Sequence, residues 1–218
     1  MKSRILVTIL SFIFAVSFFT LSSAQQSEPI KLPEPKMDKS VTLMEALKNR
    51  KTSREFNPGN LSNQTLSNLL WAAWGINRSD SGRRTAPSAR NRQEIDLYVV
   101  TSDGIYIYDA KALSLKPIVS GDFRALTGTQ SYFKDAAINL VFVADLSRMN
   151  DRDEAGKINI ASMDTGFIAQ NVYLFCASEG LATVYRVSID KPNLAQTMKL
   201  SPDQRIIGAQ SVGLPAKN

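Results

Sequence analysis

Two polar segments concentrate the side chains best suited to chemistry. Arg50-Lys51-Thr52-Ser53-Arg54 places two guanidinium groups, an ammonium and two hydroxyls in one short run. Planar guanidinium forks match phosphate oxygens, a lysine adds a point charge, and a threonine hydroxyl donates to an oxygen left over. A basic cluster at a helix C-terminus also serves as simple dipole pairing and solvation, so the run alone does not decide between the two. The second segment is Pro87-Ser88-Ala89-Arg90-Asn91-Arg92-Gln93, just ahead of an apolar stretch. Its small residues let backbone approach a flat ligand, and an Asn amide complements a ring edge of mixed polarity. An ordinary polar loop is the other reading.

The composition narrows what such segments can do. None of the 218 residues is a histidine. That removes Ser-His-Asp and Cys-His nucleophile systems, His-ligated metals and the commonest general acid/base. The single thiol, Cys176, forbids an intramolecular disulfide and any Cys-cluster metal site; it reads as a core thiol within an apolar helix. An enzyme of this composition draws on carboxylates, backbone dipoles or a bound organic cofactor.

The chain opens Met1-Lys2-Ser3-Arg4, runs apolar from Ile5 to Leu21, and continues Ser22-Ser23-Ala24. This is the pattern of a secretory signal peptide spanning residues 1–24, which predicts an exported, periplasmic or secreted, protein. A retained anchor is the alternative, since the run sits at the lower edge of spanning length. Once the signal is cleaved, no stable membrane partner is expected. The formal charge of +6, from 26 basic and 20 acidic residues, falls to +4 when Lys2 and Arg4 leave with the signal, which is mild and argues for solubility more than for a nucleic-acid partner.

Elements must position the two segments. Residues 25–40, with three prolines among alternating charges, read as an extended linker, so a single domain is expected over 41–218. Thr42 and Glu45 form a capping-box pattern for a short helix that ends in the basic run, and Ser62 caps a second helix closed by Gly75. Ile95–Val100 and Ile105–Tyr108 around Ser102-Asp103-Gly104 predict a β-hairpin, and 139–144 a strand covered on both faces. Ala161 to Glu179 predicts the central, most buried helix, ended by Gly180; residues 181–187 and 205–214 supply further strands. The class is α+β.

Taken together, these segments resemble the flavin-dependent nitroreductase family and its branch related to azoline-forming oxidases. Residues 50–56 are similar to that family's Arg-Arg-Ser-x-Arg-x-Phe segment, and 87–93 to its Pro-Ser-x-x-Asn-x-Gln segment. Asp164-Thr165-Gly166 through Gln170-Asn171, then Glu179 to Val184, resemble its long helix and the strand after it; Val212-Gly213-Leu214-Pro215 resembles its closing Gly-Tyr-Pro. The resemblance implies a nitroreductase-like fold, a central mostly antiparallel sheet flanked by helices with one long buried helix. It implies FMN as cofactor, NADH or NADPH as donor, a small-molecule acceptor such as a nitroaromatic or quinone, and a homodimer with flavin sites at the subunit interface. Arg50, Lys51, Thr52 and Arg54 would then hold phosphate and ribityl chain, Pro87, Ser88 and Asn91 the ring or its ribityl end, and Lys217 a C-terminal phosphate contact. Val187 and Ser188 take the positions that present a backbone N–H to flavin N5. No side chain is required as acid or base. An oxidase of a peptide or thiazoline-type substrate and a non-catalytic flavin-binding module are the alternatives.

Overall fold

The computed structural model describes residues 28–37, 41–150 and 152–216, so the N-terminal apolar run and Lys217 lie outside the described residues. In chain order the strands are β1 (Ile30–Lys31), β2 (Phe56–Asn57), β3 (Ile76–Arg78), β4 (Arg83–Arg84), β5 (Ile95–Val100), β6 (Gly104–Asp109), β7 (Ser114–Ser120), β8 (Ile138–Asp145), β9 (Ala182–Arg186) and β10 (Gln204–Pro215). The α-helices are α1 (Leu43–Asn49), α2 (Asn63–Trp74), α3 (Glu154–Glu179) and α4 (Lys191–Thr197).

The sheet is organised around β8, whose apolar run reads as a strand buried on both faces. Alternate side chains do serve two cores: Leu140, Phe142 and Ala144 join the larger one beneath α2 and α3. Val141 and Val143 join the smaller one that Leu194 of α4 and Met198 just beyond it help to close. Helices therefore cover both faces, as a continuous apolar strand requires. The order is β1-β7-β6-β5-β8-β10-β2, with β9 also on β10, and every pair in this sheet is antiparallel. The fold is the α+β arrangement expected from the sequence, an antiparallel sheet flanked by helices with one long helix.

Local signals explain the helix ends. Thr42 and Glu45 close a complete capping box on α1, and Ser62 Oγ accepts from Thr65 N at 3.0 Å on α2. Gly180 takes φ +68 at the C-terminus of α3, the left-handed position that favours glycine. Gly75 serves otherwise than expected. Its backbone is extended at φ −71, and a Cβ there would meet the Trp71 ring at 2.5 Å, so close approach, not handedness, selects glycine.

Three further differences from the sequence reading have physical causes. α3 begins at Glu154, because Asp153 Oδ1 accepts from Gly156 N at 2.9 Å and caps a first turn too polar to show an apolar period. It is also not buried all round: Met163 and Phe167 are 58% and 49% exposed. Residues 30–36 are extended, as a linker would be, yet they are fastened down. β1 pairs with β7, Leu32 is buried, Lys36 N donates to Asn68 Oδ1 at 2.9 Å, and Ser67 Oγ donates to Pro33 O. The ordered structure therefore starts well before Val41.

Candidate functional site

The basic run leaves α1 at Arg50 and is fixed at once to the strand and helix beside it. Ser53 N donates to Thr183 O of β9 at 2.9 Å. Tyr173 of α3 is the hub: its hydroxyl accepts from Tyr185 N at 3.0 Å and bonds Thr52 Oγ1 at 3.1 Å. Because that oxygen already accepts from an amide, its proton is available to Thr52. The Arg50 guanidinium lies 5.5 Å from the centroid of the Tyr173 ring, a cation–π contact that leaves its N–H edges for a ligand. Lys48, Arg50, Lys51, Ser53, Tyr173, Thr183 and Pro215 border a cleft of about 590 Å³. Among the described residues, three cations face this cleft and no carboxylate lines it, which is the electrostatics of an anion site.

The second segment is a tight, pinned loop. Arg90, Asn91 and Gln93 all have positive φ, 56°, 54° and 51°, a conformation that costs non-glycine residues roughly 1 kcal/mol each. Gln93 N donates to Ser88 Oγ at 3.0 Å, and Gln93 Nε2 donates to Asn91 Oδ1 at 3.1 Å. Arg84, stacked 4.8 Å from the Trp74 ring centroid, donates from Nε to Gln93 Oε1 at 2.7 Å. Asp164 of α3, itself buried, accepts from Ala89 N at 2.8 Å. Beside it the wholly buried Glu94 carboxyl has no hydrogen-bond donor for either oxygen among the described residues. Desolvation, reinforced by Asp164, pushes its pKa up to about 7.

The matches to known proteins agree with this architecture. The description "Nitroreductase family" matches residues 47–214. A protein of Methanocaldococcus jannaschii named as a nitroreductase is 30% identical over 165 residues, covering 71% of this chain and 81% of its own. A Ralstonia eutropha structure, also named as a nitroreductase, superposes with a TM-score of 0.84 at 38% identity over 89% of this chain and 92% of its own. This chain belongs to the nitroreductase family. The NADPH:FMN oxidoreductase of Vibrio harveyi, solved with NAD+, shares the fold at a TM-score of 0.59 and 20% identity, over 81% of this chain and 70% of its own.

Within this nitroreductase-family chain the sequence-derived residues fall into three places. Arg50 and Lys51 line the cleft, Thr52 is tied to it through Tyr173, and Arg54 is exposed just outside the lining. Pro215, which borders the cleft, stands two residues ahead of Lys217. Val187 and Ser188 lie past the far end of β9, both exposed, with Ser188 Oγ 2.9 Å from Thr129 Oγ1. Pro87, Ser88 and Asn91 sit elsewhere. Their loop is tied to α3 at Asp164, the basic run at Tyr173; nine helical residues separate the two by about 13 Å of rise and half a rotation. A single chain thus holds the two segments on opposite flanks of one helix.

Sequence reasoning did not single out Tyr173, Glu94 or Arg186. Tyr173 reads as one more apolar residue of a long helix, and Glu94 as the polar start of a strand. The signal for Arg186 was present as a lone cation in the apolar strand LATVYRV.

Proposed function

We propose that this protein is an FMN-dependent oxidoreductase that passes electrons from NADH or NADPH to a nitroaromatic, quinone or similar small acceptor. The observation that carries this reading is the acid-free basic cleft at the start of β9. The residues present fit the cofactor. Arg50 and Lys51 supply cationic donors for a phosphate, and the cleft volume lies in the range of organic-ligand sites. β9 then leads from Thr183 to Val187, about 13 Å at a strand's rise per residue, a track for an elongated ligand ending at the backbone of Val187 and Ser188.

When bound, the flavin supplies the hydride and electron chemistry. The chain supplies position and field. Tyr173 holds the Arg50 guanidinium and Thr52 hydroxyl at the phosphate end, and the pinned Ser88–Gln93 loop offers a wall preorganised by Asp164 and Arg84. No side chain of this set is needed to give or take a proton.

The working unit is a homodimer in this reading. Met163, Gly166, Phe167, Gln170 and Leu174 follow one another along a single face of α3, between the Asp164 flank and the Tyr173 flank. A Cβ at Gly166 would meet nothing, so a glycine that weakens the helix has no use within one chain. An antiparallel second copy of α3 on this face would bring the loop of one copy level with the basic run of the other and join the two into one site. The N-terminal segment supports export of this dimer.

The purified protein is expected to be yellow and to bleach with NADH or NADPH. Arg50→Ala is expected to lose FMN far more readily than Arg78→Ala, whose side chain instead donates to Arg84 O at 2.9 Å. A colourless chain that binds no added FMN, or equal retention in both variants, refutes the assignment.

A further inference from the structure

Among the described residues, Arg186 is a buried cation without an anion. It is 6% exposed, and each of its acceptors is neutral. Nε donates to Thr127 O at 2.8 Å, Nη1 to Ser211 Oγ at 2.7 Å, and Nη2 to Thr127 Oγ1 at 2.7 Å and Asn139 Oδ1 at 2.9 Å. The Phe133 ring covers the guanidinium, with its centroid at 5.0 Å. Burial lowers the pKa to about 10, so the group remains charged at neutral pH.

Fixing a charge in a sheet interior is costly when no opposite charge repays it, and hydrophobic residues would fill the same space at less cost. The chain has instead built a cage of oxygens around it. Four of the five N–H groups are committed to that cage, so Arg186 is set to act through its field. A field in a low-dielectric wall reaches further than one in water. The cage also shapes the wall: a Cβ on Gly128 would lie 2.6 Å from Arg186 Nε, and Thr129, next in sequence, meets Ser188. The Arg186 backbone runs straight into Val187 and Ser188, where the proposed site places the reactive edge of the ring, while its guanidinium reaches back beneath β9 to Ser211 and Asn139, level with Val184.

We infer that Arg186 is a positioning residue whose uncompensated positive charge, locked beneath β9 just ahead of Val187 and Ser188, stabilises the negative charge that the flavin ring takes on when it is reduced. This rests on the flavin reading above. The acceptors cage the guanidinium without neutralising it, so the charge is felt by the ring.

The test uses the full FMN-loaded protein in equilibrium with a redox dye at pH 7. Asn139→Asp sets a carboxylate on Arg186 at the cost of the 2.9 Å bond from Asn139 Nδ2 to Phe133 O, and Arg186→Gln removes the charge. Both are expected to lower the ratio of reduced to oxidised flavin by about tenfold at a fixed dye potential. Arg186→Lys keeps the charge and is expected to stay near the wild-type ratio. An FMN-loaded Asn139→Asp protein with an unchanged ratio overturns the inference and leaves the flavin reading intact. In the wild type, reduced flavin is expected to stay anionic to lower pH than free reduced FMN; protonation at the same pH overturns the inference even if no variant folds. A wild type that takes up no FMN refutes the earlier reading instead.

Discussion

Among the described residues neither oxygen of the buried Glu94 carboxyl meets a side-chain or main-chain partner, and its neighbour is another carboxyl, that of Asp164. Protonation resolves this conflict, because a neutral Glu94 can donate to Asp164 while Asp164 accepts from Ala89 N. A carboxyl raised from 4.5 to about 7 on folding costs nothing below the unfolded value; its penalty grows as pH rises toward 7 and is complete above it. Glu94→Gln, which donates at every pH, is therefore expected to flatten the fall in melting temperature between pH 4.5 and 8. It is expected to stabilise the protein at pH 8 by on the order of 2 to 3 kcal/mol, checked by thermal denaturation across pH. Tyr173→Phe removes the acceptor for Tyr185 N and the partner of Thr52. A loss of about 1 to 2 kcal/mol is expected from chemical denaturation, with weaker retention of FMN. The residue types of the cleft were readable from the sequence because cations cluster in the chain itself. Glu94 was not, and Arg186 showed only as a lone cation among apolar residues, since a buried charge shows its meaning only when its neighbours in space are known.

Among elements, α3 sets the spacing between the two segments: Asp164 holds the loop and Tyr173 the basic run. Each segment could be read from its own composition, but their placement on opposite flanks depends on which rotation of a 26-residue helix each one docks against. Helices with clear caps and period, such as α2, were legible for the same local reason. β7 was not, because its sequence SLKPIVS contains Lys116 and Pro117, which argue against a strand in isolation. The β3–β4 hairpin likewise hides in polar residues. Phe167→Asp places a charge on the open face of α3 and changes nothing in the core, since Phe167 is half exposed. It is expected to leave the melting temperature of the isolated chain unchanged, shift sedimentation from dimer to monomer, and abolish tight FMN binding with it. A Phe167→Asp protein that stays dimeric refutes the placement of the second copy. Asp153→Ala removes the N-cap of the same helix and is expected to cost about 1 kcal/mol by denaturant titration.

At the level of the whole molecule, two-residue strands from the early part of the chain finish the sheet at both sides, at the second one beyond the stretch of β10 that β9 covers. β1 covers β7 at one side, with Ile30 opposite Leu115, and β2 covers the end of β10 at the other, with Asn57 opposite Leu214. Deleting residues 1–37 would bare the β7 edge and remove Leu32 from the core. A loss of about 2 kcal/mol and an increase in light scattering on storage are expected. The same pairings impose an order in time. Ile30 emerges from the ribosome long before Leu115, and Phe56 must await Pro215, far along the chain; β8 also completes its pairing only against β10. The sheet cannot close until β10 has been made, so a chain still under synthesis holds no finished fold.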